Sequence, residues 1–101
     1  MRLVQILLPT DDNAGQPFPR AAFAAVRAEL TAAFGGVTAY TRAPASGLWD
    51  EGSEVVGDDI VIFEVMVDEL DAVWWRAYRA RLEERFRQDE IVLRALPMER
   101  I

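Results

Sequence analysis

The chain has 101 residues and a formal net charge of −6, with 51% hydrophobic and 28% charged residues. This composition is typical of one globular domain spanning residues 1–101 and excludes a disordered chain. The acidic balance disfavours binding to nucleic acid or to an anionic membrane, since both would repel the chain. The sequence contains no cysteine and no histidine, so thiolate chemistry, disulfides and imidazole ligands are excluded. We therefore expect no metal and no cofactor.

Residues 2–8 predict the first strand. Val4, Ile6 and Leu8 would lie on one face, and the other face is also largely apolar, which favours an interior position in a sheet. The apolar run is too short to span a membrane and lacks a signal-type cleavage site. We therefore expect a cytoplasmic protein.

The segment from Pro9 to Pro19 is rich in turn-forming residues. Asp11, Asp12 and Asn13 supply oxygen atoms of the kind that hard cations prefer. Their spacing is not that of a calcium loop, however, and no distant acid completes a ligand set. We interpret the segment as an acidic turn.

A helix should follow from residue 19 or 20 to Phe34, because alanines fill it and Phe23, Val26 and Leu30 recur at helical spacing. The Gly35-Gly36 pair predicts its end. Residues 37–42 then predict a second strand, polar enough on both sides to lie at a sheet edge.

The stretch 58–67 is the most strand-like in the chain, and its apolar run predicts a central strand. Glu64 is the only polar residue in its apolar middle. Before it, residues 43–57 predict a long loop with Trp49 between glycines, either packed back onto the body or used for recognition.

A second helix is predicted from Leu70 to Gln88, with acidic residues near its start to complement the helix dipole. Arg85 lies close to its apolar stripe, where it could stack on an aromatic ring, bind the acidic turn or extend to solvent. Residues 91–96 predict the last strand. The stripe consists of Trp74, Trp75, Tyr78, Leu82 and Phe86.

This element order predicts an α+β protein with the ferredoxin-like βαββαβ fold, a four-stranded antiparallel sheet with two helices on one face. Right-handed crossovers would place the first and third strands in the centre and the second and fourth at the edges. The two most apolar strands are the two predicted to be central.

We call the sheet face away from the predicted helices the second face. An apolar face left uncovered is a liability in a soluble protein, so it should be covered. A second copy packed sheet to sheet would cover it and give a homodimer. The rival expectation is a monomer shielded by the 43–57 loop. On the central strands the second face comprises Leu3, Gln5, Leu7, Ile60, Ile62, Glu64 and Met66.

A carboxylate on this face is costly unless it is paired. One interpretation is structural: Glu64 forms an ion pair with Arg42 or Arg94, or fixes the register of a dimer. The other is a ligand pocket in which Glu64 acts as an acid or hydrogen-bond partner beside Tyr40, Arg42 and Trp49.

Two stretches, 34–49 with the sequence FGGVTAYTRAPASGLW and 74–91 beginning WWRAY, resemble a small bacterial family of about this length with no assigned function. The resemblance covers most of the chain and implies the ferredoxin-like fold, but it transfers no catalytic residues. The plan is also similar to that of dimeric α+β barrel proteins, which include small monooxygenases and ligand-binding regulators.

Two functions therefore compete. The first is a non-catalytic homodimer with an accessory or small-ligand-binding role. The second is a cofactor-free enzyme acting on a small anionic metabolite, with Glu64 as general acid or base and Arg42 holding the anion.

Overall fold

The computed structural model describes residues 1–42 and 59–101, and the predicted α+β class is confirmed. Within these residues no helix is long and apolar enough to cross a membrane. The elements are β1 (Arg2–Pro9), α1 (Arg20–Phe34), β2 (Thr38–Arg42), β3 (Ile60–Val67), α2 (Ala72–Arg85) and β4 (Val92–Pro97).

The four strands form one antiparallel sheet in the order β2-β3-β1-β4, so β1 and β3 are the inner strands. Their pairing extends from Arg2 opposite Val67 to Pro9 opposite Ile60. In this register Gln5 lies directly opposite Glu64. The most apolar strands are thus central, and each pairs with a neighbouring strand on both sides.

Helix α1 follows the apolar spacing read from the sequence, with Val26 and Leu30 fully buried. The alanine-rich interior favours the helical backbone. The helix ends at Gly35, which adopts the left-handed conformation (φ 83°) and donates its N–H to the carbonyl of Thr31.

Helix α2 is shorter at both ends than the sequence pattern predicts. It begins at Ala72 because Asp71 caps it: the Asp71 carboxylate accepts the N–H of Trp74 at 3.1 Å. It ends at Arg85, and Phe86 is the C-cap. The next residue, Arg87, has a positive φ of 51°, which is incompatible with a right-handed helix. Three of the predicted stripe residues, Trp75, Tyr78 and Leu82, are its buried residues.

The core lies on one face of the sheet. Alternate side chains of β1 and β3 pack there with residues from both helices, and Phe86 and Ile91 complete the cluster after α2. Between the helices, Phe34 stacks on Trp75 with ring centroids 5.0 Å apart. The strand residues of this core are Val4, Ile6, Leu8, Phe63, Val65 and Val67.

Candidate functional site

The second face carries one row of polar side chains that crosses the whole sheet. The register aligns Thr38 on β2, Glu64 on β3, Gln5 on β1 and Arg94 on β4. Antiparallel pairing brings residues at such opposed positions within contact of one another. Residues distant in sequence therefore meet at the middle of the sheet.

Hydrogen bonds link Arg94, Gln5 and Glu64 of this row to one another and to Tyr40 on β2. Arg94 donates from Nε to Oε1 of Gln5 at 2.6 Å, and Gln5 donates from Nε2 to Oε2 of Glu64 at 2.6 Å. The hydroxyl of Tyr40 donates to the same carboxylate oxygen at 3.1 Å. We call these four residues, Arg94, Gln5, Glu64 and Tyr40, the Glu64 row.

The expected ion pair between Glu64 and Arg94 is not formed. The two residues lie on strands separated by β1, and the neutral amide of Gln5 occupies the position between them. Among the side chains that the structure describes, the ion pairs are those of Arg85 with Glu29 and of Arg87 with Asp12. Arg94 and Glu64 are therefore linked indirectly, through hydrogen bonds to the same Gln5 amide.

Apolar side chains flank the Glu64 row on both sides. Met66 and Leu96 lie on one side of it and Val92 on the other, and each is 40–50% exposed. Ile62 also belongs to this face but is only 1% exposed and lies outside the core cluster. The second face is therefore covered at Ile62 and open around the Glu64 row.

A cavity of about 560 Å³ opens beside Glu64. Its apolar walls come from the inner strands and from the end of α1, including Leu3, Met66 and Phe34. Asp68 and Arg100 add one charge of each sign. A pocket with apolar walls and a few converging polar groups is the usual form of a small-molecule site.

The structure brings together three of the candidate residues: Tyr40, Glu64 and Arg94. Arg42 lies four residues along β2 from Thr38, a backbone separation of about 13 Å at 3.3 Å per residue. Trp49 and the 43–57 loop lie outside the described residues.

Sequence reasoning did not identify Gln5 as the bridging group. Its signal was nevertheless present, because Gln5 is the one polar residue between Val4 and Leu8 on a strand predicted to be central. Asp68 and Arg100 carried no comparable signal, since both lie outside the strands and reach the cavity only through the fold.

A second polar cluster ties α1 to α2. Arg85 donates to both carboxylate oxygens of Glu29 at 2.7 and 3.0 Å, and the hydroxyl of Tyr78 donates to Glu29 at 2.8 Å. Burial raises the pKa of Glu29, but these hydrogen bonds and the charges of Arg85 and Arg81 outweigh it, so the pKa is lowered from 4.5. Burial and the bond to Glu29 raise the pKa of Tyr78 well above 10.0. Arg85 thus binds Glu29 and not the acidic turn, whose Asp12 lies near Arg87 instead.

The acidic turn is held by its own backbone. Oδ1 of Asp12 accepts the N–H groups of Ala14 and Gln16, each at 2.9 Å, and Oδ2 lies 3.8 Å from Arg87. These contacts are those of a side chain that stabilises a turn. In the described part of the chain no group of three or more acidic residues is placed to hold a metal ion.

Comparison with known proteins yields no match to a family model, a curated protein or a solved structure. The resemblance noted in the sequence thus gains no support from these comparisons.

Proposed function

We propose that this protein is a non-catalytic homodimer that binds a small ligand, with the second face as its interface. One observation supports this most directly: a hydrogen-bonded polar row crosses the four strands between apolar side chains that are 40–50% exposed. Exposed apolar side chains on one sheet face favour association, and a polar row between them favours one register over others.

We further propose the ferredoxin-like plan for the fold. The element order βαββαβ and the strand order β2-β3-β1-β4 support it, as does the packing of both helices against a single core. By analogy alone, this plan is similar to that of the dimeric α+β barrel proteins, in which two sheets pack face to face.

Charge along the Glu64 row favours one dimer symmetry. A two-fold axis parallel to the strands, passing between β1 and β3, would reverse the strand order in the second copy. Arg94 would then be offset sideways by one strand spacing, about 4.8 Å, from Glu64 of the partner subunit, so with the sheets about 10 Å apart the two backbone positions would be about 11 Å apart. An axis across the strands would instead set Glu64 over its own copy, where like charges repel.

Sedimentation equilibrium at several concentrations tests the dimer. We expect a dimer for the wild type and a folded monomer for Met66→Glu, which places a charge on the exposed part of the second face. Val73→Glu is the matched control, because Val73 is 77% exposed on α2, away from that face. A wild-type monomer at high micromolar concentration, or equal effects of the two variants, would refute the proposed interface.

The ligand site that we propose is the cavity beside Glu64. Both hydrogen bonds to Glu64 end on Oε2, and no described residue donates to Oε1. That oxygen can accept a donor from a ligand whose apolar part lies against Met66. A thermal-shift screen of small metabolites should identify compounds that stabilise the wild type but not Glu64→Gln. Equal stabilisation of both proteins would exclude Glu64 from the site.

A second candidate function is catalysis by Glu64 as general acid or base on a small anionic metabolite. The open Oε1 and the adjoining cavity favour it, since a base must reach the proton that it removes. Arg100 lines this cavity, whereas the backbone of Arg42 lies four residues along β2 from Thr38, the residue opposite Glu64. Arg100 is therefore better placed to hold an anion. Mass spectrometry of a metabolite mixture would test this: a compound consumed by the wild type and unchanged by Glu64→Gln would favour the enzyme.

A further inference from the structure

A separate groove lies between α2 and the edge strand β4, with a volume of about 190 Å³. Trp75 and Val4, both nearly fully buried, form apolar parts of its lining, and Leu93 and Ala95 contribute from β4. Arg76 and Arg79 line it from α2. The groove shares neither Glu64 nor Met66 with the cavity described above.

The arginines of this helix fall into two groups. Three of those in or just after α2 have partners: Arg81 lies over the ring of Tyr78, Arg85 binds Glu29, and Arg87 lies near Asp12. Across residues 1–42 and 59–101, Arg76 and Arg79 form neither an ion pair nor a side-chain hydrogen bond. Among the described contacts, the arginines of α2 that lack a partner are therefore the two that line the groove.

The spacing of these two arginines is itself unfavourable. Arg76 and Arg79 are three residues apart, so two positive charges neighbour each other on the helix surface, which destabilises a helix. No acidic residue lies three or four positions from Arg76 on either side. Glu83, four positions after Arg79, accepts the N–H of Ile91 instead. An anion bound in the groove would relieve this repulsion.

Size and polarity restrict the anion. A groove of about 190 Å³ is smaller than the pockets of about 300–1,000 Å³ that hold drug-sized ligands. Its apolar lining suits a short hydrocarbon chain, and guanidinium groups bind carboxylates through paired hydrogen bonds. Arg94 also borders the groove, but its Nε donates to Gln5.

We propose that the groove between α2 and β4 binds a small aliphatic carboxylate, with Arg76 and Arg79 holding the carboxylate and Trp75 contacting the hydrocarbon chain. This site borders the Glu64 row at Arg94 but requires neither Glu64 nor the dimer. It gives the chain a means of binding a monoanion despite its net charge of −6.

NMR titration with hexanoate tests the proposal. Saturable shifts are expected at the Trp75 indole N–H and at the backbone amides of Leu93 and Ala95. The double variant Arg76→Gln/Arg79→Gln should weaken binding about tenfold or more, the loss expected for hydrogen bonds to a charged group. Glu64→Gln should bind hexanoate as the wild type does.

The control is Arg20→Gln/Arg27→Gln, which removes the same two positive charges from exposed positions on α1. It should bind hexanoate like the wild type. If the double variant of α2 does not fold, Arg76→Gln alone is titrated. The site is refuted by unchanged affinity in the Arg76 and Arg79 variants, by an equal loss in the α1 control, or by no saturable shift. Equal binding of hexanol would refute the carboxylate as the recognised group.

Discussion

Gln5 and Glu64 face each other across the two inner strands, and the Gln5 amide donates to the Glu64 carboxylate at 2.6 Å. The same amide accepts from Arg94 through its oxygen. Only one orientation of the Gln5 amide satisfies both charged neighbours, so the side chain is fixed at the centre of the second face. A neutral amide thereby separates a guanidinium from a carboxylate and hydrogen-bonds to each.

We expect Glu64→Gln and Glu64→Leu to differ in stability. The new amide oxygen in Glu64→Gln can still accept from Gln5 and Tyr40, so the free energy of unfolding should fall by less than about 1 kcal/mol. In Glu64→Leu the Gln5 amide loses its acceptor within a partly buried row, at a cost of about 1–3 kcal/mol. Urea denaturation measures both variants.

Thr38→Val is the control for this pair, because Thr38 lies directly opposite Glu64 on β2, is exposed, and makes no side-chain hydrogen bond among the described residues. It should leave stability nearly unchanged. Equal losses for Glu64→Gln and Glu64→Leu would show that the negative charge, and not the hydrogen bonding, stabilises the row.

The pattern of apolar residues predicted the fold class and the inner position of β1 and β3, because these two strands carry apolar residues at both alternating sets of positions. The predicted ends of α2 were less accurate than its predicted buried face. Asp71, one of the acidic residues near the predicted start, is the cap that sets the first residue of α2, and nothing in the residue type of Arg87 predicts a positive φ. Local spacing indicates a helical face, whereas caps depend on single side-chain contacts.

The Glu64 row was predicted only in part, for a related reason. Glu64 is conspicuous in sequence because a charge interrupts an apolar run. The role of Gln5 depends on the pairing register between strands 59 positions apart, which only the folded sheet defines.

Glu29 should make stability depend on pH in acid. Its pKa is lowered in the folded protein, so its contribution to stability is present above about 4.5 and is lost as pH falls through the folded-state value. Arg85 and Glu29 are 34% and 43% exposed, so solvent screening limits their ion pair to about 0.5 kcal/mol. Unfolding of the wild type and of Glu29→Gln, followed across acid pH, should show the wild type more stable near neutrality and the two converging in acid. A constant difference would contradict the role of the carboxylate charge.

Tyr78 should make stability depend on pH in base. Its pKa is raised in the folded protein, so the unfolded chain loses the phenol proton first, and stability falls as pH rises above about 10. Tyr78→Phe keeps the buried ring and removes the hydroxyl, so it should lose less stability over this range. At neutral pH it should cost about 1 kcal/mol for the lost hydrogen bond to Glu29. Thermal unfolding across alkaline pH measures both effects. If the stabilities of the wild type and of Tyr78→Phe fall in parallel as pH rises, Tyr78 is not the group responsible.

The Gly35-Gly36 pair offers a test of how α1 ends. Gly35 has a φ of 83°, a conformation that costs other residues about 1 kcal/mol or more, whereas Gly36 does not have a positive φ. A Cβ atom added at either glycine would meet nothing within 4 Å, so backbone conformation alone should separate the two variants. Gly35→Ala should therefore lower the free energy of unfolding by about 1 kcal/mol, and Gly36→Ala should leave it unchanged or raise it slightly. Urea midpoints with equal m-values would establish the difference, while equal midpoints would mean that the left-handed cap does not limit the stability of α1.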